Sequence, residues 1–313
     1  MILEMVLNIV WHDHKLNIMK NPSETTPINP VQAMLKEALN YEPAVKHQYA
    51  IVVPCYNEEK RFAYQEFKTF ADQHPEVLIC LVNDGSKDRT LAVLRGLQTE
   101  CPSNVCVVNQ IQNGGKAEAV RRGMLFVHKH YPSSLIGFLD ADLATLPEEW
   151  LMMAKFKEAN PKFGAVVGSR ITRLGANIQR DESRSFASKV IKKMIKTILK
   201  ANFQDTQCGA KIFQRNLVPF LFKKPFNTPW LFDVEIFLRL QEKFGKTTLQ
   251  RGVLEYPLLH WTEVGDSRLK LKDTIRIPLQ LLKLYYNYHI KSKPKSLVSK
   301  SKKQKITIQP TLN

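Results

Sequence analysis

The sequence predicts an α/β protein built on a mostly parallel, Rossmann-like sheet that is flanked by helices. Five short runs rich in β-branched residues alternate with segments of helical periodicity, the order typical of strands joined by crossover helices. Residues 116–130 are the clearest helical segment. Ligands of such sheets bind beyond the carboxyl ends of the strands, so we expect the chemistry directly after each run. The five runs are 49–53, 77–82, 105–108, 135–139 and 164–168.

The chain divides by composition into four segments. Residues 1–47 form a leader rich in polar residues and Pro, with one short predicted helix at 31–39. Residues 48–270 carry the strand and helix pattern, and a chain of this size buries one large core. Residues 271–292 are predicted to form an amphipathic helix at an interface. The Lys- and Ser-rich residues 293–313 are predicted to be a disordered tail.

Positive charge is concentrated in two places. The formal net charge is +17, and residues 186–200 and 291–313, which contain no acid, supply 12 of these charges. Such clusters favour an anionic partner: nucleic acid, acidic lipid or a phosphorylated substrate. Residues 186–200 also have the spacing of an amphipathic helix, typical of a membrane interface and equally of a helix packed on a core.

Two further features of composition narrow the class of protein. The sequence contains no run of about 18–20 apolar residues of the kind that spans a bilayer. Its five Cys lack the spacing of a metal cluster or a disulfide framework, which indicates a reducing compartment.

Two carboxylates, Asp140 and Asp142, follow the fourth apolar run. Acidic pairs at the end of a buried strand are costly unless a cation neutralises them. Mg²⁺ is typically held by one or two carboxylates together with phosphate oxygens. Taken alone, an Asp-x-Asp triplet is more often a solvated turn. Its place beyond a strand of a parallel sheet favours a site for Mg²⁺ or Mn²⁺ instead.

Polar motifs also follow the first three runs. Residues 54–59 suit either a helix N-cap or nucleotide contact, and the sequence leaves both open. Asp84 ends the second run, where its carboxylate could accept from a base or a ribose, although Asp-Gly is also a turn signal. The Asn-Gly-Gly-Lys motif at 113–116 opens a helix. Glycines at a helix N-terminus favour a phosphate, and a simple N-cap turn is the alternative interpretation.

The motifs taken together resemble those of the family 2 glycosyltransferases. The set IVVPCYNEE, VNDGSKDRT, NGGKAEAVRRG and FLDAD occurs in the order of that family. The later segments GSR, DTQCGAKIF, WLFDVEIF and HWTEVGDSRLK resemble the polyprenyl-phosphate sugar synthases, and most of all the dolichyl-phosphate β-glucosyltransferases. The resemblance covers residues 48–290 and implies the GT-A fold of nucleotide-sugar transferases.

The resemblance implies roles for matching residues on the donor side. Lys116, Asp140 and Arg268 would lie along the diphosphate, and Asp142 would be the main metal ligand beside Asp140. Mannosyl-transferring relatives have a Gln two residues after the second Asp. Ala144 stands there, so water is expected to complete the Mg²⁺ shell. The base and ribose would be held by Pro54, Tyr56, Asn57, Glu58 and Asp84.

On the acceptor side, the resemblance implies that Arg170, Arg184 and Ser188 clasp the phosphate of a polyprenyl lipid. The planar fork of arginine suits phosphate oxygens. Asp205 stands where a relative with a hydroxyl acceptor would need a general base. Here it is expected to position Lys211 or the acceptor instead.

The implied reaction is the inverting transfer of a hexose, glucose from UDP-glucose, to a polyprenyl phosphate of the dolichyl type. Mannosyl transfer from GDP-mannose and transfer to a saccharide hydroxyl are the alternatives. The enzyme is expected peripherally on the cytoplasmic face of an anionic membrane, or in the cytoplasm. Nucleic acid is not an expected partner, because Asp84, Asp140 and Asp142 would repel its phosphates without a metal.

Overall fold

The computed structural model describes residues 47–171, 176–179, 185–245, 249–262 and 271–291. These residues belong to one compact unit, 45–313. The side chains of 179, 185–190, 250 and 271–275 lie outside the described part. The predicted helix at 31–39 and the tail at 293–313 lie outside it as well.

A seven-stranded sheet forms the centre of this unit, in the order β3-β2-β1-β4-β7-β5-β8. Neighbouring strands pair in parallel except at β7, which runs antiparallel between β4 and β5. A small second sheet joins β6 and β9 in parallel. The strands are β1 (Tyr49–Cys55), β2 (Val77–Asp84), β3 (Val105–Gln110), β4 (Leu135–Phe138), β5 (Ala165–Ser169), β6 (Asn177–Gln179), β7 (Lys211–Gln214), β8 (Val253–Pro257) and β9 (His260–Thr262).

Helices cover both faces of the sheet, and this explains why the predicted strands are apolar on both sides. Along β1, Val52 packs into one core with α3, α5, α7 and α9, while Ile51 packs into a second core with α1, α2 and α4. The helices are α1 (Tyr64–Gln73), α2 (Thr90–Glu100), α3 (Lys116–His130), α4 (Pro147–Ala159), α5 (Ser185–Leu199), α6 (Val218–Phe222), α7 (Phe232–Phe244), α8 (Leu249–Gly252) and α9 (Leu271–Tyr285).

The predicted α/β class and mostly parallel sheet are confirmed. The antiparallel strand β7 was not predicted, and it separates β4 from β5 in the sheet. Strand β8 was not among the five predicted runs, and it begins at Val253, directly after the short helix α8. After α9 the chain continues as one π-helical turn, Tyr286–Lys291.

The apolar face of the basic helix α5 packs on the protein core. Ile195, Ile198 and Leu199 are buried, and the helix contacts α7 and α9. Of the two interpretations of this helix, the structure therefore supports core packing for its apolar residues. Within the part of the chain that the structure describes, every helix is too short or too polar to cross a bilayer.

Candidate active site

The candidate site lies at the edge of the sheet where the parallel strands β1, β2 and β4 end. Cys55 pairs with Asn83, and Val52 pairs with Phe138, so β1 and β2 end nearly together and β4 ends about three residues earlier at the same edge. Asp84 is the last residue of β2, and Asp140 and Asp142 follow β4. The three acidic residues therefore share one edge of the sheet.

Asp84 ties the end of β2 to the loop before α3. Its Oδ1 accepts a hydrogen bond from the Gly114 N–H at 2.8 Å, and its Oδ2 accepts from Asn113 Nδ2 at 3.0 Å. Burial raises the pKa of Asp84, while the hydrogen bonds from Gly114 and Gly115 act in the opposite direction. The side chain expected at the nucleotide thus has both oxygens engaged by the glycine loop, and it fixes the N-terminus of α3.

Lys116, the first residue of α3, faces Asp140. Its Nζ lies 2.6 Å from Asp140 Oδ1. Burial alone would lower the pKa of Lys116, but the nearby carboxylates of Asp140 and Asp233 raise it. Lys116 is therefore a cation at neutral pH, positioned at a helix N-terminus that itself favours anions. This arrangement suits a diphosphate.

The carboxylates of Asp140 and Asp142 fit a divalent cation. Asp142 is exposed, and its Oδ1 accepts from the Ala144 N–H at 3.1 Å across a turn in which Leu143 is left-handed, with φ 54°. Asp140 Oδ1 is buried, and its partner among the described residues is the Lys116 ammonium. No cluster of three His, Cys, Asp or Glu occurs in the described ranges. Two carboxylates suffice for Mg²⁺, which keeps water and phosphate oxygens as its other ligands.

Gly209 makes room for the Asp140 carboxylate. A Cβ atom built on Gly209 would overlap the carboxylate of Asp140. We therefore expect Gly209→Ala to push Asp140 out of place. A displacement of about 1 Å in a catalytic site costs roughly 10²-fold in rate. The measurement is kcat/KM for sugar transfer beside the thermal midpoint of unfolding. Gly96→Ala is the control, because a Cβ there meets only the Tyr64 side chain at 3.5 Å. Equal activity of the two variants would contradict the role of Gly209 in placing the Asp140 carboxylate.

The loop after β1 does not open a helix, since α1 begins only at Tyr64. The N-cap interpretation of residues 54–59 is therefore wrong. The loop is instead joined to the loop after β2. Asn57 Oδ1 accepts from the Lys87 N–H at 2.9 Å, and the Glu58 N–H donates to Thr90 Oγ1 at 2.7 Å. Asn57 is left-handed at φ 51°.

Pro54 and Tyr56 are half-buried beside this junction, and Glu58 is buried. Glu58 Oε2 lies 3.3 Å from a guanidinium nitrogen of Arg61. Pro54 at the end of β1 and Tyr56, Asn57 and Glu58 in the loop after it thus lie at the same edge as Asp84, the fifth residue expected to hold the base and ribose. Their contact with a nucleotide remains a prediction.

Arg170 and Asp205 form a bidentate ion pair beyond β5. Arg170 Nε and Nη2 donate to Asp205 Oδ2 and Oδ1 at 2.6 and 2.9 Å, and the Arg170 N–H also donates to Oδ2 at 3.1 Å. The Arg170 guanidinium lies 5.2 Å from the centre of the Trp261 ring. Arg184, Arg268 and the side chain of Ser188 lie outside the described residues.

The pair changes the ionisation of Asp205. Burial acts to raise its pKa, but the hydrogen bonds and charge of Arg170 hold that pKa well below the usual carboxyl range. Asp205 is therefore an anion committed to Arg170 and a poor proton acceptor near neutral pH.

A buried ion pair between Lys211 and Asp233 supports the floor of the site. Lys211 is fully buried in β7, and its Nζ donates to Asp233 Oδ1 and to the Cys208 carbonyl, both at 2.6 Å. The expectation that Asp205 positions Lys211 is wrong, because Asp205 is taken by Arg170. A Lys between apolar neighbours signals a buried acid partner. The sequence contains that signal, but the identity of the partner depends on the fold.

The glycosyl transferase family 2 model matches residues 50–222. The dolichyl-phosphate beta-glucosyltransferases are among the curated relatives. One from Trichomonas vaginalis is 34% identical over 74% of this chain and 69% of the relative. The enzyme of Drosophila melanogaster is 29% identical over 81% of this chain and 78% of its own.

A solved structure has the same fold at low identity. Glucosyl-3-phosphoglycerate synthase from Mycobacterium tuberculosis, in complex with Mn²⁺, UDP and glucosyl-3-phosphoglycerate, aligns with a TM-score of 0.56 and 15% identity. The alignment covers 77% of this chain and 80% of that one. The predicted GT-A fold is thereby confirmed. The chain belongs to glycosyl transferase family 2 and is a relative of the dolichyl-phosphate beta-glucosyltransferases within it.

Proposed function

We propose that this enzyme transfers glucose from UDP-glucose to a polyprenyl phosphate of the dolichyl type, with inversion at the anomeric carbon. The names of its relatives support the donor sugar and the acceptor class. The observation that carries the proposal is the commitment of Asp205 to Arg170. A hydroxyl acceptor needs a general base, whereas a phosphate acceptor does not, because its second pKa is roughly 6.

On the donor side, Asp140 and Asp142 would hold Mg²⁺ or Mn²⁺, and Lys116 would contact the diphosphate. When bound, the metal would neutralise charge on the leaving diphosphate. Lys116 adds a fixed positive charge at the same place. The Mn²⁺ and UDP in the M. tuberculosis structure support this choice of ligands.

On the acceptor side, Arg170 would orient the lipid phosphate. One phosphate oxygen attacks the anomeric carbon, a new carbon–oxygen bond forms, and the bond to UDP breaks. Asp205 acts as a positioning residue that fixes the Arg170 guanidinium. It neither accepts nor donates a proton during the transfer. Arg184, Ser188 and Arg268 remain predicted contacts.

Asp205→Asn tests this division of roles. We expect a rise of roughly tenfold in KM for polyprenyl phosphate, equivalent to about 1.4 kcal/mol, with kcat reduced less. Arg170 loses a charged partner, but no base is lost. The control is Glu255→Gln, since Glu255 accepts from the Gln204 and Asp205 N–H groups and holds the same loop without touching Arg170. A near-total loss of kcat in Asp205→Asn alone would point to a base and a hydroxyl acceptor.

The pH dependence follows from the same pair. The pKa of Asp205 is lower in the folded protein than in the unfolded chain. The ionised carboxylate therefore stabilises the fold above the unfolded-state pKa of about 3.9, and this contribution is lost as the pH falls through the folded-state pKa. Asp205 stays ionised throughout the range from pH 5 to 9. We therefore expect the pH profiles of kcat for the wild type and for Asp205→Asn to have the same shape in that range. This is measured as the pH profile of kcat in both proteins.

A donor and acceptor screen tests the proposal directly. Radiolabelled UDP-glucose and GDP-mannose are supplied with Mg²⁺ or Mn²⁺ and a short polyprenyl phosphate, and the product is extracted into organic solvent. Label extracted from UDP-glucose supports the proposal. Label extracted only from GDP-mannose would assign mannosyl transfer, and label found only on a water-soluble saccharide would refute the lipid acceptor.

Helix α9 supports peripheral attachment to an anionic membrane. One face packs inward through Ile277, Leu281 and Leu284. The opposite side of α9 exposes Leu279 and Leu282, and the π-helical turn after it exposes Tyr286 and Ile290, with exposed fractions of 66%, 61%, 54% and 53%. An apolar stripe of this kind followed by a Lys-rich segment suits the surface of an anionic bilayer.

The double variant Leu279→Gln and Leu282→Gln tests this attachment. Because burying a Leu side chain contributes about 1.5–3 kcal/mol, we expect binding to anionic vesicles to weaken more than tenfold. Co-sedimentation with vesicles measures it. The control is Met152→Gln, which changes an exposed apolar residue on α4. Unchanged sedimentation of the double variant would contradict the prediction.

A further inference from the structure

A pocket lies at the edge of the sheet opposite Asp84 and Asp140. It has a volume of about 670 Å³, within the range of roughly 300–1,000 Å³ typical of small-molecule sites. The ends of α3 and α4, the start of β4 and the turn after β7 form its lining. None of the predicted donor or acceptor residues lines it.

Lys157 is the unusual member of this lining. It lies in the last turn of α4 and is only 2% exposed. Among the described residues, its ammonium group forms no ion pair with a carboxylate and no hydrogen bond. Burial lowers the pKa of Lys157. The Lys157 side chain is buried where it lines the pocket, and a bound anion would supply the partner that its ammonium lacks among the described residues.

Arg215 adds a second positive charge to the pocket. Its guanidinium donates to the backbone carbonyls of His128, Tyr131 and Ser133. These contacts hold the group in place but leave its charge without a carboxylate among the described residues. A fixed guanidinium and an unpartnered ammonium that line the same pocket are a suitable arrangement for an oxyanion.

The other titratable groups of the pocket do not cancel the positive charge of Lys157 and Arg215. Glu158 is the acid in the lining, and its carboxylate accepts hydrogen bonds from Gln48 and from the Tyr49 hydroxyl. Burial and the charge of Arg215 lower the pKa of His128, which is therefore neutral at pH 7. Two cations thus face one anion that is already hydrogen-bonded.

We propose that this pocket binds a phosphate group, either the free ion or a small phosphate ester, with Lys157 and Arg215 as its counter-ions. A phosphate offers several acceptor oxygens to the ammonium and to the exposed Asn216 amide at the mouth. The site is separate from the sugar-transfer site and does not rest on the proposed function.

Isothermal titration with inorganic phosphate and with glucose 6-phosphate, each at an ionic strength matched with NaCl, tests the proposal. We expect Lys157→Met to weaken binding at this site at least tenfold. Lys155→Met is the matched control, because Lys155 is exposed on the same helix and its loss changes the net charge equally. Tighter binding of the ester would identify a phosphate ester as the ligand, and equal binding would identify the free ion.

A second variant tests the pocket without altering the buried Lys157, whose substitution could disturb folding. Asn216→Asp places a negative charge at an exposed position of the pocket, so it should fold normally and weaken phosphate binding severalfold. Sugar transfer should be unchanged in both variants, because neither residue lies at the catalytic edge. Phosphate affinity equal to wild type in Lys157→Met and Asn216→Asp, or no binding by the wild type, would overturn the proposal.

Discussion

Asp142→Ala is expected to abolish sugar transfer, with kcat/KM reduced roughly 10³-fold or more. Asp142 is the exposed carboxylate of the pair, and the half-buried Asp140 is ion-paired with Lys116 at 2.6 Å. Without Asp142 the metal would keep one carboxylate ligand, and charge on the leaving diphosphate would lose its main stabiliser. Single electrostatic contacts of this kind contribute about 10²–10³-fold, and a metal contributes several kcal/mol.

Two measurements check the Asp142 result. One is transfer of radiolabel to polyprenyl phosphate, and the other is Mn²⁺-dependent binding of UDP by calorimetry. The control is Glu148→Ala, which removes an exposed carboxylate from the first turn of α4. If Asp142→Ala binds UDP with unchanged dependence on Mn²⁺, the residue is not a metal ligand, whatever happens to the rate.

Lys211→Met is expected to lower the free energy of unfolding by about 3–5 kcal/mol, the usual result of removing one partner from a buried ion pair. Asp233 would be left as a buried charge, and the Cys208 carbonyl would lose its donor. The Asp140 site would also suffer, because Lys211 holds the turn on which Gly209 packs against Asp140. Urea-induced unfolding measures the change in stability.

The double variant Lys211→Met and Asp233→Leu separates charge from packing. Replacing a whole buried pair by apolar residues is often neutral, so we expect most of the lost stability to return. Sugar transfer should stay low, because the Cys208 carbonyl still lacks the Lys211 donor that holds the turn carrying Gly209. Lys193→Met, at an exposed position of α5, should leave stability unchanged within about 0.5 kcal/mol. A double variant no more stable than Lys211→Met would contradict the buried-charge explanation.

The strand ends of the site could be predicted because local pattern encodes them. Runs of β-branched residues identified β1, β2 and β4, and the helix predicted at 116–130 is the helix observed. Parallel pairing then brings Asp84 and Asp140 to one edge. The resemblance to family 2 glycosyltransferases added expected roles for these residues.

The partners of the charged residues could not be predicted. Asp84 engages the Asn113 loop, and Asp205 engages Arg170. Strand β7 is four residues long and begins with a charged Lys, so it lacks the apolar alternation that reveals a strand. Its insertion between β4 and β5 brings Lys211 to Asp233.

The sequence by itself determined the α/β class, the order of the first strands and the carboxylates that follow them, because hydrophobic periodicity is a local property. The tertiary structure alone decided which charges neutralise one another. It committed Asp205 to Arg170, packed α5 on the core and left Lys157 without a partner among the described residues. These outcomes depend on contacts between residues that are far apart in the chain. Burial sets the strength of such contacts, and a local sequence pattern does not show which charged residues the fold will bury together.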